Sequence, residues 1–126
     1  MSSDSRPIYL NLIKIKLPIS GIISIFHRLT GLLLFVAIPV SLYLLQLSIT
    51  DLDSFNTVSA LMLHPLSRFF VLLVIWSFVH HFITGMRFLL IDLEFFLHRN
   101  TSRTSAWAVV VIEAIVMLLV IKGMFL

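Results

Sequence analysis

Three long apolar stretches constrain this chain more than any other feature. They cover about residues 21–47, 65–90 and 106–126. Each can cross the ~30 Å hydrocarbon core of a bilayer, which takes about 20 residues of helix. A backbone in lipid must satisfy its own hydrogen bonds, and a helix does so within one segment. The sequence therefore predicts an all-α membrane protein with three transmembrane helices.

The composition leaves no room for a catalytic domain beside these spans. Of the 126 residues, 60% are hydrophobic and 12% are charged, and the mean hydropathy is +1.09. Ordinary soluble domains are about 45–50% apolar. We therefore predict one membrane domain over residues 1–126, with an interfacial lead-in over 1–20 and no enzymatic activity of its own.

Charge and cysteine content exclude several kinds of partner and site. The nine Lys and Arg residues are scattered and form no basic face, so nucleic-acid binding is not expected. The sequence has no cysteine, which excludes disulfides, thiolate metal sites and cysteine-bound iron–sulfur clusters. Histidine is the strong transition-metal ligand that remains.

The positions of the cations predict the orientation in the membrane. Lys and Arg near span ends are retained on the cytoplasmic side. Most of them flank the side on which the chain begins: Arg6, Lys14, Lys16, Arg28, Arg87, Arg99 and Arg103. We therefore predict the N-terminus inside and the C-terminus outside, with a water-exposed loop over 48–64 and a second loop over 94–105.

His81 is the most informative polar residue within the spans. It lies ~16 Å along its helix from Asp92, near the middle of the membrane. Ser77 and Gly85 lie one turn to either side, which leaves room for a flat macrocycle whose iron the imidazole binds. The alternative is a buried neutral histidine bonded to a carbonyl of a neighbouring helix, and the spacing does not decide between them. His80 points ~100° away and is predicted to pack or to form a hydrogen bond.

A second group of candidates lies at the inner end of the first span and comprises Ser24, His27, Arg28 and Gly31. Ser24 and Arg28 are four residues apart on one helix face and could hold the headgroup of a quinone. Arg87 could reach a haem propionate. For each arginine the alternative is a side chain that extends to lipid phosphates.

Glu113 lies about two turns inside the third span. We expect it to form a hydrogen bond to a neighbouring helix or subunit, because no second carboxylate follows at helical spacing to make a proton relay. A small transporter with Glu113 and His81 as its proton path would need a continuous polar stripe, which the third span lacks.

Two blocks of sequence resemble the cytochrome b membrane-anchor subunit, the larger of two anchors, of succinate dehydrogenase (respiratory complex II). Residues 24–31 read Ser-Ile-Phe-His-Arg-Leu-Thr-Gly, similar to the family's Ser-x-x-His-Arg-x-Thr/Ser-Gly. Residues 81–87 read His-Phe-Ile-Thr-Gly-Met-Arg and precede Asp92, similar to its His-x-x-x-Gly-x-Arg-His-x-x-x-Asp. Arg6-Pro7 is a third match. The family has His where this chain has Phe88, so that propionate contact is not carried over.

The resemblance implies a role for each matching residue. His81 stands where the family has an axial ligand to the iron of haem b. His27, Arg28 and Arg87 stand near the haem propionates, and Ser24 and Arg28 stand where the family contacts ubiquinone.

It also implies partners: a small membrane-anchor subunit that supplies the second haem ligand, an iron–sulfur subunit and a flavoprotein subunit. The alternative within the same family is a purely structural anchor without haem. Because no Arg-rich, acidic-poor leader precedes Arg6, a bacterial inner membrane is favoured over a mitochondrial one.

Overall fold

The computed structural model describes residues 16–96 and 98–125, and this part of the chain is helical. Its four helices are α1 (Ile19–Ser48), α2 (Leu52–Leu63), α3 (Pro65–Asp92) and α4 (Arg99–Phe125). By length and composition, α1, α3 and α4 could each cross a membrane. The prediction of an all-α protein with three such helices is thereby confirmed. The orientation stays a prediction, and most of the 1–20 lead-in lies outside the described residues.

The prediction of a loop over 48–64 is wrong, because this segment contains α2. Asp51 caps the helix: its side chain accepts a hydrogen bond of 2.7 Å from the backbone N–H of Ser54. A second acidic residue, Asp53, lies in the first turn, where a carboxylate interacts favourably with the helix dipole. Local capping therefore starts a helix in a stretch too short and too polar to span a bilayer.

The second loop is also shorter than predicted, because α4 begins at Arg99 and includes residues that were assigned to the loop. The reversal after α3 uses left-handed backbone at Glu94 and Phe96, with φ of 66° and 63°. Hydropathy detects where a segment enters lipid, whereas a helix continues into water as long as its backbone hydrogen bonds are made.

The interior of the bundle is small and polar. Among the described residues, the buried apolar side chains are Ile23, Ala106 and Val109, whereas the buried polar or charged ones are Thr30, Ser77, His80, Thr84, Arg87 and Glu113. Large apolar residues such as Phe35, 75% exposed, cover the outside. This is the arrangement of helices in lipid, where apolar side chains face the acyl chains and small or hydrogen-bonded residues face one another.

α3 is the helix that positions the candidate residues. It packs against α1, α2 and α4. His80 and His81 are consecutive on α3 and so face different neighbours. The histidines therefore connect α3 to α4 on one side and to α1 on the other.

Candidate functional site

The His81 ring is held against α1 by a hydrogen bond to the backbone. Its Nδ1 lies 3.0 Å from the carbonyl oxygen of His27. A carbonyl oxygen only accepts, so Nδ1 carries the proton and donates. In the neutral ring, Nε2 then keeps a lone pair, which is the arrangement found in metal-binding histidines whose other nitrogen donates to a carbonyl.

In the alternative interpretation, His81 is a buried neutral histidine that is bonded to a carbonyl of a neighbouring helix. The structure confirms that contact. It does not exclude metal binding, because the hydrogen bond occupies Nδ1 and leaves Nε2. The same bond anchors the ring and selects the tautomer that a metal requires.

The rings of His27 and His81 stack on each other. Their centroids are 4.1 Å apart and their planes differ by 7°. The lone pair of an imidazole nitrogen lies in the plane of the ring, so stacked rings cannot direct nitrogens at one iron from opposite faces. The described part of the chain also holds no cluster of three or more His, Cys, Asp or Glu side chains fit for a metal ion. The geometry of the pair therefore does not correspond to two axial ligands of one iron, and iron binding by His81 stays a prediction.

Two glycines allow this close approach of α1 and α3. A Cβ atom added to Gly31 would lie 2.9 Å from Cε1 and 3.3 Å from Nδ1 of His81. One added to Gly85 would lie 3.5 Å from Nε2 of His27. Sequence reasoning selected Gly85 and Ser77 as small residues near His81 and placed Gly31 in the group with Ser24, His27 and Arg28; it did not predict that Gly31 lies against His81. The effect of Gly85 on a macrocycle stays a prediction.

Phe88, the position that departs from the family pattern, packs against the same group. Its ring lies edge-on to His27, with centroids 5.1 Å apart and planes at 87°. The guanidinium carbon of Arg87 lies 5.7 Å from the centre of the Phe88 ring. A phenyl ring, which has no hydrogen-bonding nitrogen, therefore borders His27 where the family pattern has an imidazole.

Arg87 points into the bundle and joins α3 to α4. It is 4% exposed. Its Nε donates to Oγ of Ser105 at 3.0 Å, and its Nη2 donates to the carbonyl and hydroxyl oxygens of Ser102 at 3.0 and 3.2 Å. A side chain held in this way does not extend out to lipid phosphates. Whether it faces a propionate stays a prediction.

Ser24 and Arg28 lie one turn apart on α1, half-buried and exposed respectively. A cavity of about 800 Å³ occurs near the start of α1, and neither residue lines it. Its lining, which sequence reasoning did not single out as a site, includes Ser20, Ile22, Arg99, Ser102, Arg103 and Trp107. The structure thus leaves Arg28 on the surface, where a partner subunit or lipid headgroup can reach it.

His80 and Glu113 form a buried pair between α3 and α4. His80 Nδ1 lies 2.9 Å from Oε2 of Glu113, and the two side chains are 5% and 12% exposed. The Oγ1 atom of Thr84 lies 3.5 Å from His80 Nε2, and the rings of Phe26 and Trp76 pack near the imidazole. The predictions that His80 packs or forms a hydrogen bond, and that Glu113 bonds to a neighbouring helix, are confirmed. Glu113 therefore pairs with His80 rather than His81.

Comparison with known proteins extends over almost the whole chain. Residues 2–120 match the family model described as succinate dehydrogenase/fumarate reductase transmembrane subunit. The chain is also 33% identical over 118 residues to the succinate dehydrogenase cytochrome b556 subunit of Coxiella burnetii, covering 90% of this chain and 92% of that protein. Both matches include the helices that carry His27, His81 and Glu113.

Proposed function

The chain belongs to the succinate dehydrogenase/fumarate reductase transmembrane subunit family, a family of membrane subunits rather than of independent enzymes, and we propose that it is the cytochrome b anchor of succinate dehydrogenase. In this role it holds haem b through His81 and forms part of the site that reduces ubiquinone. Its partners are a small anchor subunit, an iron–sulfur subunit and a flavoprotein subunit.

The geometry of His81 is the observation that carries the proposal. Its Nδ1–H is committed to the His27 carbonyl, so Nε2 is the nitrogen that would bind iron. Because the His27 ring stacks on His81 and does not face it across a metal, the second axial ligand would come from another chain, as the small anchor subunit provides. When bound, the haem supplies a one-electron carrier.

Three side chains are the candidates to bind the charged parts of the two ligands, together with one hydroxyl. His27, Arg28 and Arg87 are the candidates for the propionates, and Ser24 and Arg28 for the quinone. A fixed cation favours the negative charge that develops on a quinone oxygen during reduction, and a hydroxyl can donate a hydrogen bond to the same oxygen. Arg28 is exposed, which suits a site completed by neighbouring subunits.

The test of haem binding is a reduced-minus-oxidised optical spectrum of the purified complex. We expect a b-type band in the wild type, its loss in His81→Ala, and its retention in the control His98→Ala, which changes an exposed histidine outside the group. A band that survives unchanged in His81→Ala would contradict the assignment of the ligand.

The test of the quinone site compares electron transfer to two acceptors, quinone and a water-soluble dye. In Arg28→Leu we expect succinate–quinone reductase activity to fall about tenfold or more, since hydrogen bonds to charged groups contribute ~1.5–3 kcal/mol. Reduction of a water-soluble dye by the flavoprotein and iron–sulfur subunits should not change. Lys122→Leu, an exposed cation at the far end of α4, is the control. Equal quinone activity in both variants would remove Arg28 from the site.

A purely structural anchor without haem is the second candidate, and the Phe88 contact with His27 favours it. A phenyl ring cannot form a hydrogen bond with a propionate, and it occupies the position next to His27. In this case an intact wild-type complex reduces quinone and shows no b-type band.

The predicted location is a bacterial inner membrane, with a mitochondrial inner membrane as the alternative. A transmembrane subunit with three long apolar helices fits either. With the N-terminus inside, the start of α1 and its Arg28 would lie on the side where the iron–sulfur subunit docks.

A further inference from the structure

The proposed function leaves the His80–Glu113 pair unused. Both side chains are buried between α3 and α4, at 4% and 9% exposure for the whole residues, and the bond between them is 2.9 Å long. A polar pair inside a membrane bundle is costly to bury and persists where it has a partner or a task. Glu113 is the acidic residue of α4, and its partner is the immediate neighbour of the proposed haem ligand.

The two consecutive histidines hold α3 from two directions. Adjacent residues on an α-helix point ~100° apart. His81 donates to the His27 carbonyl on α1, whereas His80 is bonded to Glu113 on α4. The two bonds therefore tie α3 to both neighbours, and a rotation of α3 about its axis would disturb them.

Each nitrogen of the His80 ring has a polar side chain beside it. Nδ1–H donates to the Glu113 carboxylate, and the hydroxyl of Thr84 lies 3.5 Å from Nε2 on the next turn of α3. Thr84 is fully buried. In this orientation the ring has the carboxylate at one nitrogen and the Thr84 hydroxyl near the other.

We propose that Glu113 is a positioning residue, which through His80 sets the rotation of α3 and so the direction in which His81 presents Nε2. The haem part of this inference rests on the proposed function. The part that concerns the rotation of α3 does not rest on the proposed function, because it depends only on contacts within the chain. A merely structural pair would contribute to stability and leave the His81 ring unaffected.

Three variants of the assembled complex separate these roles. Glu113→Gln keeps an oxygen acceptor of similar shape, whereas Glu113→Leu removes it and leaves His80 unpaired. The double variant His80→Leu with Glu113→Leu removes both members of the pair, so neither is left buried without the other. Ile112→Leu, an exposed neighbour on α4, is the control.

Two signals of His81 are measured, together with the apparent Tm of the complex. One is the b-type spectrum with haem content per complex. The other needs no haem: solid-state ¹⁵N NMR of histidine-labelled complex, in which the His81 signals are those absent from His81→Asn. If the wild type has no haem, the haem assignment fails and the NMR signals alone decide the present inference.

We expect Glu113→Gln and Ile112→Leu to match the wild type in all measurements. Glu113→Leu should lower haem content at least twofold and shift the His81 Nδ1 resonance. In the double variant the Tm should return toward that of Glu113→Gln while the His81 signals stay altered. The inference is overturned if the double variant restores both stability and the His81 signals, or if Glu113→Leu leaves those signals unchanged.

Discussion

Replacing Gly31 with alanine tests the close approach of α1 to the ring of the proposed haem ligand. The added Cβ would lie 2.9 Å from Cε1 of His81. Carbon atoms make favourable contacts from roughly 3.5 Å, so the ring or the helix must move by about 0.6 Å. The ring has little freedom to do so, because its Nδ1 is bonded to the His27 carbonyl on the same helix as Gly31.

Two opposing effects determine how much Gly31→Ala changes the free energy of unfolding. Forcing a methyl group into a packed contact costs about 1–3 kcal/mol. Alanine in place of glycine within a helix contributes about 1 kcal/mol in the other direction. Gly123→Ala shows the second effect without the first, because a Cβ there would meet nothing within 4 Å. We therefore expect Gly31→Ala to be less stable than Gly123→Ala by about 1–3 kcal/mol.

The assay is reversible unfolding of the purified chain in mixed micelles with increasing SDS, followed by tryptophan fluorescence. The reduced-minus-oxidised spectrum of the complex is recorded for the same variants. We expect it to change in Gly31→Ala and to match the wild type in Gly123→Ala. Equal free energies of unfolding for the two variants would refute the argument that Gly31 is needed for the approach of His81.

Three further predictions concern other parts of the bundle. The backbone N–H and hydroxyl of Ser54 donate to the Asp51 carboxylate and hold its pKa below the ordinary 3.8. The stabilisation of the α2 start is therefore present above pH 3.8 and is lost as the pH falls through the lower folded pKa. Amide exchange at Ser54 should accelerate in that pH range. Asp51→Asn should remove this pH dependence. Arg87→Lys should lower the free energy of unfolding by about 1–3 kcal/mol, because an ammonium cannot reproduce the forked hydrogen bonds to α4; stability equal to the wild type in the same SDS titration would contradict this. Because the chain has no cysteine, single cysteines at Asn56 and Asn100 report orientation: an impermeant thiol reagent applied from outside should label the first and not the second, and the reverse pattern would invert the predicted topology.

The number and type of the main elements follow from the sequence alone. Hydropathy over ~20 residues identifies segments that must be helical in lipid, and three of them match α1, α3 and α4. The 24–31 and 81–87 blocks led to the family to which the chain belongs. The polar residue types inside the spans also indicated where bonds between helices occur, because an ionisable group in a bilayer needs a partner.

The partner of each polar residue could not be predicted from the sequence and depends on how the helices pack. Glu113 is bonded to a residue 33 positions earlier, and Gly31 lies against a ring 50 positions later; such pairs depend on the rotation and height of packed helices, which a 3.6-residue period does not specify. The α2 helix and the early start of α4 also escaped the hydropathy pattern, because capping and backbone hydrogen bonds, not burial in lipid, stabilise helix outside the apolar stretches. Residue types therefore set the chemistry available to this chain, and helix packing decided which nitrogen of His81 is bonded to the His27 carbonyl.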